Sequence, residues 1–223
     1  MILPRKDENG EYYISYSQYE SFVSEKAFGI DIPGKWGYIL NYFLGYDKPD
    51  EGWAQFGSEV EDYICNRTFA ENFNEQERNL LEEITPLGNF QKEIKLYILP
   101  GVYIKGFIDD ATDDLKVIRD YKTASKKSAE KYKKPTYVQL DIYAGWVRQE
   151  TGKLPEKGEV LVIERKGSCF GQVGRRDLLS VGQSWWIEEK QFTDERTDAV
   201  LEDMRRVVKE ISLLYEVYLK VVS

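Results

Sequence analysis

The chain has 223 residues, 42% hydrophobic and 14% aromatic, with a net charge of −8, which suits one globular domain with a real core. It contains no histidine and only Cys65 and Cys169. This excludes Ser-His-Asp and Cys-His catalysis, histidine-based zinc sites, a disulfide framework and an iron–sulfur cluster.

Any metal would therefore rest on oxygen ligands, which favours Mg²⁺ or Mn²⁺. The acidic balance argues mildly against a chain whose only task is gripping nucleic acid. No apolar run is long enough to span a membrane, and MILPRKDENG lacks the long apolar segment of a signal peptide. A cytoplasmic protein with free thiols and no membrane contact is expected.

Residues 15–28 open with a serine cap and predict a helix with Tyr19, Phe22 and Val23 on one face. Gly29–Trp36, GIDIPGKW, nearly matches a phosphate-cradling loop. Trp36 replaces the required hydroxyl and no strand precedes it, so a turn is expected instead. Residues 36–47 predict buried helix or aromatic packing. Phe56–Phe69 predicts a helix capped by Ser58, with Val60, Tyr63 and Ile64 as its apolar stripe and Glu61 beside it. Residues 71–84 predict a polar helix, broken at Thr85–Gly88.

Phe90–Leu99 alternates as a strand and turns at Pro100-Gly101. Ile104–Thr123 then predicts two strands joined by an acidic turn at Thr112, Asp113 and Asp114. Side chains alternate along a strand, so Asp120 and Lys122 share one face and Tyr121 takes the other. If these strands pair, Asp109 lies near Asp120. Two carboxylates and an ammonium then converge at one corner, a Mg²⁺ site suited to phosphodiester hydrolysis. A lysine-rich loop follows, with Lys126, Lys127, Lys131, Lys133 and Lys134. Such a run is either a solvated face or a phosphate-backbone contact.

Pro135 and Thr136 predict the start of a helix ending near Gly152, with Gln139, Tyr143 and Trp146 on one face. Glu159–Arg165 and Gln183–Glu188 predict strands. Thr193 to the C-terminus predicts a long helix with Val200, Met204, Val207, Ile211, Leu214 and Tyr218 at core spacing. One domain is expected over 1–223: a helical part to about 88, a sheet core over 89–192 and a packing helix from 193.

A bare acid-x-Lys spacing is weak evidence. Glu93–Lys95 lacks a suitable preceding acid, and Asp114–Lys116 begins inside a turn. Glu188–Lys190 is a true rival, because Asp177 precedes Glu188 by the spacing that separates Asp109 from Asp120. Three features favour Asp120–Lys122: Gly106, which permits close backbone approach, the Gln/Tyr helix that follows, and the adjacent lysines.

With these residues in view, the chain resembles the PD-(D/E)XK nucleases, in particular their RecB-like and Cas4-like exonuclease branch. ISYSQYESF (Ile14–Phe22) is similar to that branch's serine-containing helix. Gly57 to Glu61 is similar to G-x-x-x-[HE], and Gly106 to Asp109 to G-x-[IV]-D. Asp120 to Thr123 is similar to D-x-K-[TS], and Gln139 to Tyr143 to Q-x-x-x-Y. The resemblance covers most of the chain. It departs from relatives that hold an iron–sulfur cluster, since the cysteines are too few, and helicase motifs are absent.

The resemblance implies an α/β fold with a restriction-endonuclease-like core, a central mixed β-sheet flanked by helices. It implies a metal-dependent DNA exonuclease with Mg²⁺ or Mn²⁺ held by Glu61, Asp109, Asp120 and the Tyr121 carbonyl. Lys122 would hold the attacking water, while Gln139 and Tyr143 would contact the phosphate or the neighbouring nucleotide. Lys126, Lys127, Lys131, Lys133 and Lys134 would bind the strand. Expected partners are DNA and a separate recombinase, helicase or single-strand-binding protein. Two other readings remain open: a non-catalytic nucleic-acid-binding scaffold, and a protein-interaction module using the five tryptophans and the acidic surface.

Overall fold

Strand β1 (Tyr12–Ser15) passes directly into helix α1 (Tyr16–Val23). Ser15 makes this switch possible within one residue. Its hydroxyl accepts from the Gln18 N–H, and the Gln18 side chain accepts from the Ser15 N–H. A computed structural model of the chain describes residues 1–27, 32–46 and 51–223. The expected loop at Gly29–Trp36 lies partly outside the described residues, as do Phe28 and Asp47. Helix α1 is shorter than the spacing predicts, and Val23 is exposed rather than on the core face with Tyr19 and Phe22. The helical part expected to residue 88 also contains β1, which joins the sheet.

Helix α2 (Gly34–Tyr38) continues as a π-helical turn, Ile39–Phe43. Tyr38 and Phe43 are buried, but Trp36, Leu40, Leu44 and Tyr46 are exposed, so this aromatic stretch is only half core. Helix α3 (Trp53–Asn66) starts ahead of Ser58, which does not cap it. Gly52, at φ 105°, precedes the first turn. A Cβ there would sit 2.5 Å from the Arg176 backbone nitrogen, so the start of the helix depends on glycine. Val60, Tyr63 and Ile64 are buried as expected. Helix α4 (Glu75–Glu82) carries a second reciprocal cap, between Asn74 and Glu77.

Strands β2 (Asn89–Leu99) and β3 (Val102–Ala111) form an antiparallel hairpin across Pro100-Gly101. After β4 (Val117–Ala124), the lysine-rich segment is not a loop. It folds as helix α5 (Lys126–Ala129) and a 3₁₀ turn, Glu130–Lys133. Helix α6 (Gln139–Thr151) begins four residues after Pro135, because Pro135–Val138 forms an entry turn whose Tyr137 N–H bonds the Lys134 carbonyl. Strands β5 (Lys157–Gly167) and β6 (Leu179–Lys190) precede helix α7 (Asp194–Val222), capped by Thr193. No described helix is long and apolar enough to cross a membrane.

The sheet is mixed, in the order β1-β3-β4-β5-β6, with β2 on the other flank of β3. The β1–β3 and β4–β5 pairs are parallel and the others antiparallel. Ile118, Val160 and Val162 pack towards α1, α6 and α7, while Tyr121, Leu161 and Ile163 pack towards α3 and α4. This period-two alternation is what lets helices cover both faces. The observed architecture is the α/β sheet with flanking helices that the motifs imply.

One buried polar network pins the 85–88 loop to the sheet. Asp110, fully buried, accepts from the Leu87 and Gly88 N–H groups at 2.7 and 3.1 Å and from the Tyr121 hydroxyl at 2.8 Å. Arg119 donates to Glu159 at 2.7 and 2.9 Å and to the Thr85 carbonyl at 2.9 Å, with Asp110 3.7 Å away. Asp110→Ala would strand these donors in an apolar setting. The expected loss is about 3–5 kcal/mol of stability, read from the urea midpoint. A loss below about 1 kcal/mol would show that the network is dispensable.

Candidate active site

Strands β3 and β4 pair only beside their turn, where Asp110 opposes Arg119 and Ala111 opposes Ile118. One step further the strands part, and a side chain replaces the ladder. The Tyr121 N–H donates to Asp109 Oδ2 at 2.8 Å. Adjacent aspartates thus serve opposite faces: Asp110 pins the core, and Asp109 enters the cleft. The Gly106 expectation fails on one point. A Cβ there would meet Ile94 at 3.6 Å, an ordinary contact, so no close backbone approach depends on this glycine.

Asp120 is fully buried. Lys122 Nζ donates to its Oδ1 at 2.7 Å, and the Tyr137 hydroxyl donates to its Oδ2 at 2.7 Å. The Tyr137 oxygen also lies 2.9 Å from Gln139 Oε1, and Gln139 Nε2 donates to the Tyr143 hydroxyl at 2.6 Å. Gln139 and Tyr143, expected to touch substrate, are instead buried in this network behind Asp120.

Helix α3 supplies Glu61, one turn after Gly57. Gln91 Nε2 donates to Glu61 Oε1. Gln91 lies within β2 at φ 47°, between the pairs Phe90–Asp110 and Lys92–Ile108, which share one register. A non-glycine residue in this left-handed region costs about 1 kcal/mol or more, so the position is strained. It aims the amide at the acid of the neighbouring helix.

Asp109, Glu61 and Lys122 line a cavity of about 660 Å³, and Asp120 lies buried behind Lys122. The cavity carries the acids Glu20, Glu61 and Asp109 and the cations Lys122, Lys131 and Arg165 in its lining. Of the lysine-rich segment, only Lys131 lines it. Lys126 lies 3.7 Å from Glu164, Lys133 is paired with Glu130 and Glu188, and Lys127 and Lys134 stand exposed elsewhere.

Residues 40–214 match the family model of the PD-(D/E)XK nuclease superfamily. The chain belongs to that superfamily. A phage-related exonuclease from Haemophilus somnus superimposes with a TM-score of 0.56 at 14% identity, covering 92% of this chain and 96% of that one. A candidate exonuclease from Eubacterium rectale gives 0.55 at 17% identity, with 91% and 82% covered. Both likenesses concern the fold. No curated protein matches the chain.

Within this nuclease fold, burial raises the Asp109 pKa well above the usual carboxylate value, and the Asp120 charge raises it further. Lys122 and the Tyr121 N–H work the other way. Burial also raises Glu61, against the Gln91 hydrogen bond and Lys122. Burial disfavours the Lys122 charge, but Asp120 and Asp109 outweigh it and hold the ammonium firmly protonated. A cleft that crowds carboxylates with oxygen donors only has the chemistry of a hard divalent cation site. Among the described residues, however, no three acidic or thiol side chains are already gathered at metal-holding distance. Lys122 occupies one Asp120 oxygen, and Gln91 engages Glu61.

The rival pair is separated by the fold. Asp177 precedes β6 and binds Arg175, while Glu188 lies about 30 Å along that strand, at roughly 3.3 Å per residue. Glu188 accepts from Trp186 instead. Sequence reasoning missed Gln91, Tyr137 and Arg165. Arg165 had a readable signal, as a cation at the end of the apolar run EVLVIER and inside a further acid-x-Lys, Glu164–Lys166.

Because its folded pKa is raised, Asp109 stabilises the metal-free fold at low pH, and this contribution is lost as pH rises through the folded value. Asp109→Asn keeps the acceptor for Tyr121 without the charge. In chelator, it is expected to raise stability at pH 8 by more than about 1 kcal/mol and to change it little at pH 4. Urea titrations at both values test this. Equal effects at the two would contradict it.

Proposed function

We propose that the chain is a deoxyribonuclease dependent on Mg²⁺ or Mn²⁺, acting as an exonuclease in recombination, repair or phage DNA processing. The reading rests on one observation: Asp109 and Asp120 flank Tyr121 where β3 and β4 part, with Lys122 on Asp120 at the rim of one cavity. The exonuclease descriptions of its two structural neighbours support the finer assignment.

Asp109, Asp120, Glu61 and the Tyr121 carbonyl are the groups that would hold the ion. When bound, it supplies positive charge against the phosphate and a more acidic water. Each Asp120 oxygen has a second lone pair, so Oδ1 can serve as a ligand beside its bond from Lys122. Lys122 lines the cavity, where its ammonium steadies the attacking water and the charge growing on the phosphate. Tyr137 keeps Asp120 aimed through its hydroxyl, with the Gln139 amide beside it and Tyr143 anchoring Gln139. Single-strand, duplex and circular DNA, together with a separate recombinase, helicase or single-strand-binding protein, are the substrates and partners to test.

End-labelled linear, circular and single-stranded DNA with Mg²⁺ should be degraded by the wild type. Lys122→Ala or Asp120→Ala should lose more than the roughly hundred-fold that removing one charge stabiliser costs. A Lys122→Ala variant cutting at near-normal rate would misplace the site. Retained circular DNA beside degraded linear DNA identifies an exonuclease.

Calcium should support DNA binding without turnover, because its looser coordination positions water poorly. Anisotropy and product gels on the same samples read both properties. Full turnover in calcium alone would count against this chemistry.

A further inference from the structure

The cavity's lining contains a cation that the proposed hydrolysis does not use. Arg165 ends the apolar stretch of β5, and its guanidinium lies over the Trp53 ring, 4.0 Å from the centroid. The ring is itself fixed, since the Trp53 indole N–H donates to Glu51 at 2.9 Å. Among the described residues, Arg165 touches protein oxygen only weakly, at 3.5 Å to the Thr123 carbonyl, and its buried Nε has no hydrogen-bond partner.

Arg119, Arg148, Arg176 and Arg196 are matched to acids (Glu159, Asp194, Glu59 and Asp141), while Arg67 and Arg78 each make two bonds to backbone carbonyls, all shorter than the 3.5 Å contact of Arg165. No carboxylate among the described residues pairs with Arg165. Its neighbour Glu164 is turned to the Gln183 N–H and the Ser184 hydroxyl. A guanidinium that lines a cavity and has no carboxylate partner is a ready receptor for an anion from outside the chain. Its planar fork matches the oxygens of a phosphate. Lys131, exposed and lining the same cavity, adds a second positive charge.

We propose that Arg165, seated on Trp53 and joined by Lys131, is a second phosphate subsite. It holds a phosphate of the same strand as the bond at Asp109 and Asp120, but not the one being cut. This rests on the nuclease reading of the cavity and adds to it. The Asp109 and Asp120 side receives the reacting phosphate, and Arg165 with Lys131 receives its neighbour. The strand therefore has one register across the cleft. The phosphate is either an internal diester or a terminal monoester, and both present the same oxygens to the fork.

The test measures binding rather than cleavage, so it is independent of the chemistry. A short fluorescein-labelled single strand is titrated in calcium at several salt concentrations, against wild type, Arg165→Gln and Arg165→Lys. Arg165→Gln should bind about ten-fold more weakly at low salt, and its log K against log salt slope should fall by about 0.7, one phosphate contact. Arg165→Lys should keep the slope and lose part of the affinity. An unchanged slope and affinity in Arg165→Gln would overturn the subsite, even if the protein cuts DNA.

The loss seen in Arg165→Gln without any cleavage in Mg²⁺ would instead preserve the subsite and refute the nuclease reading. Strands with and without a terminal phosphate separate the two sources. If Arg165→Gln does not fold, wild type is titrated with strands bearing a neutral methylphosphonate at each position in turn. One position should then cost about ten-fold, and uniform affinity along the strand would overturn the proposal.

Discussion

The hydrogen bond from the Tyr121 N–H to Asp109 is the point on which the cleft depends. Where two antiparallel strands separate, each backbone group released from the ladder needs another partner. Here a carboxylate supplies it, so the sheet opens without leaving an unsatisfied donor. The same contact holds Asp109 at the rim of the cavity. Opening of the sheet and placement of the acid are one event. Asp110, one residue on, keeps the opening from spreading by tying the 85–88 loop to the closed end of the hairpin.

The cleft is built at some expense to the fold. Burial holds Asp109 and Glu61 towards their neutral forms, and Gln91 adopts a left-handed backbone to reach Glu61. Such strain and crowding persist only where surrounding structure over-determines them. The surroundings here are rigid: β5 is buried on both faces, and α6 is buried along almost its whole length. A soft electrostatic site is thus set in a stiff frame, a common division between stability and function.

Much of this was legible in the sequence because it is written at short range. The Ser15 cap, the Pro100-Gly101 turn, the Asp120-Tyr-Lys122 alternation and the Gln139–Tyr143 spacing each need only a few consecutive residues and a known period. What escaped depends on contact across the chain. Gln91 looks like an ordinary strand glutamine, and nothing local marks its left-handed backbone. Tyr137 is remote in sequence from Asp120 and meets it only because α6 starts later than Pro135 suggests. The lysine-rich segment misled in the opposite way. Its charge density is real, but helix α5 turns most of it away from the cleft.

The adjacency of Asp109 and Asp110 has one more consequence. A strand that slips by a single residue sends every side chain to the opposite face. In β3 a slip one way would put Asp110 in the cleft and Ala111 in the core, losing the clamp on the 85–88 loop while the cleft keeps a carboxylate. A slip the other way would keep a carboxylate against that loop and put Ile108 in the cleft. Each error spares one contact at the cost of the other, so clamp and cleft are complete together only in the native register.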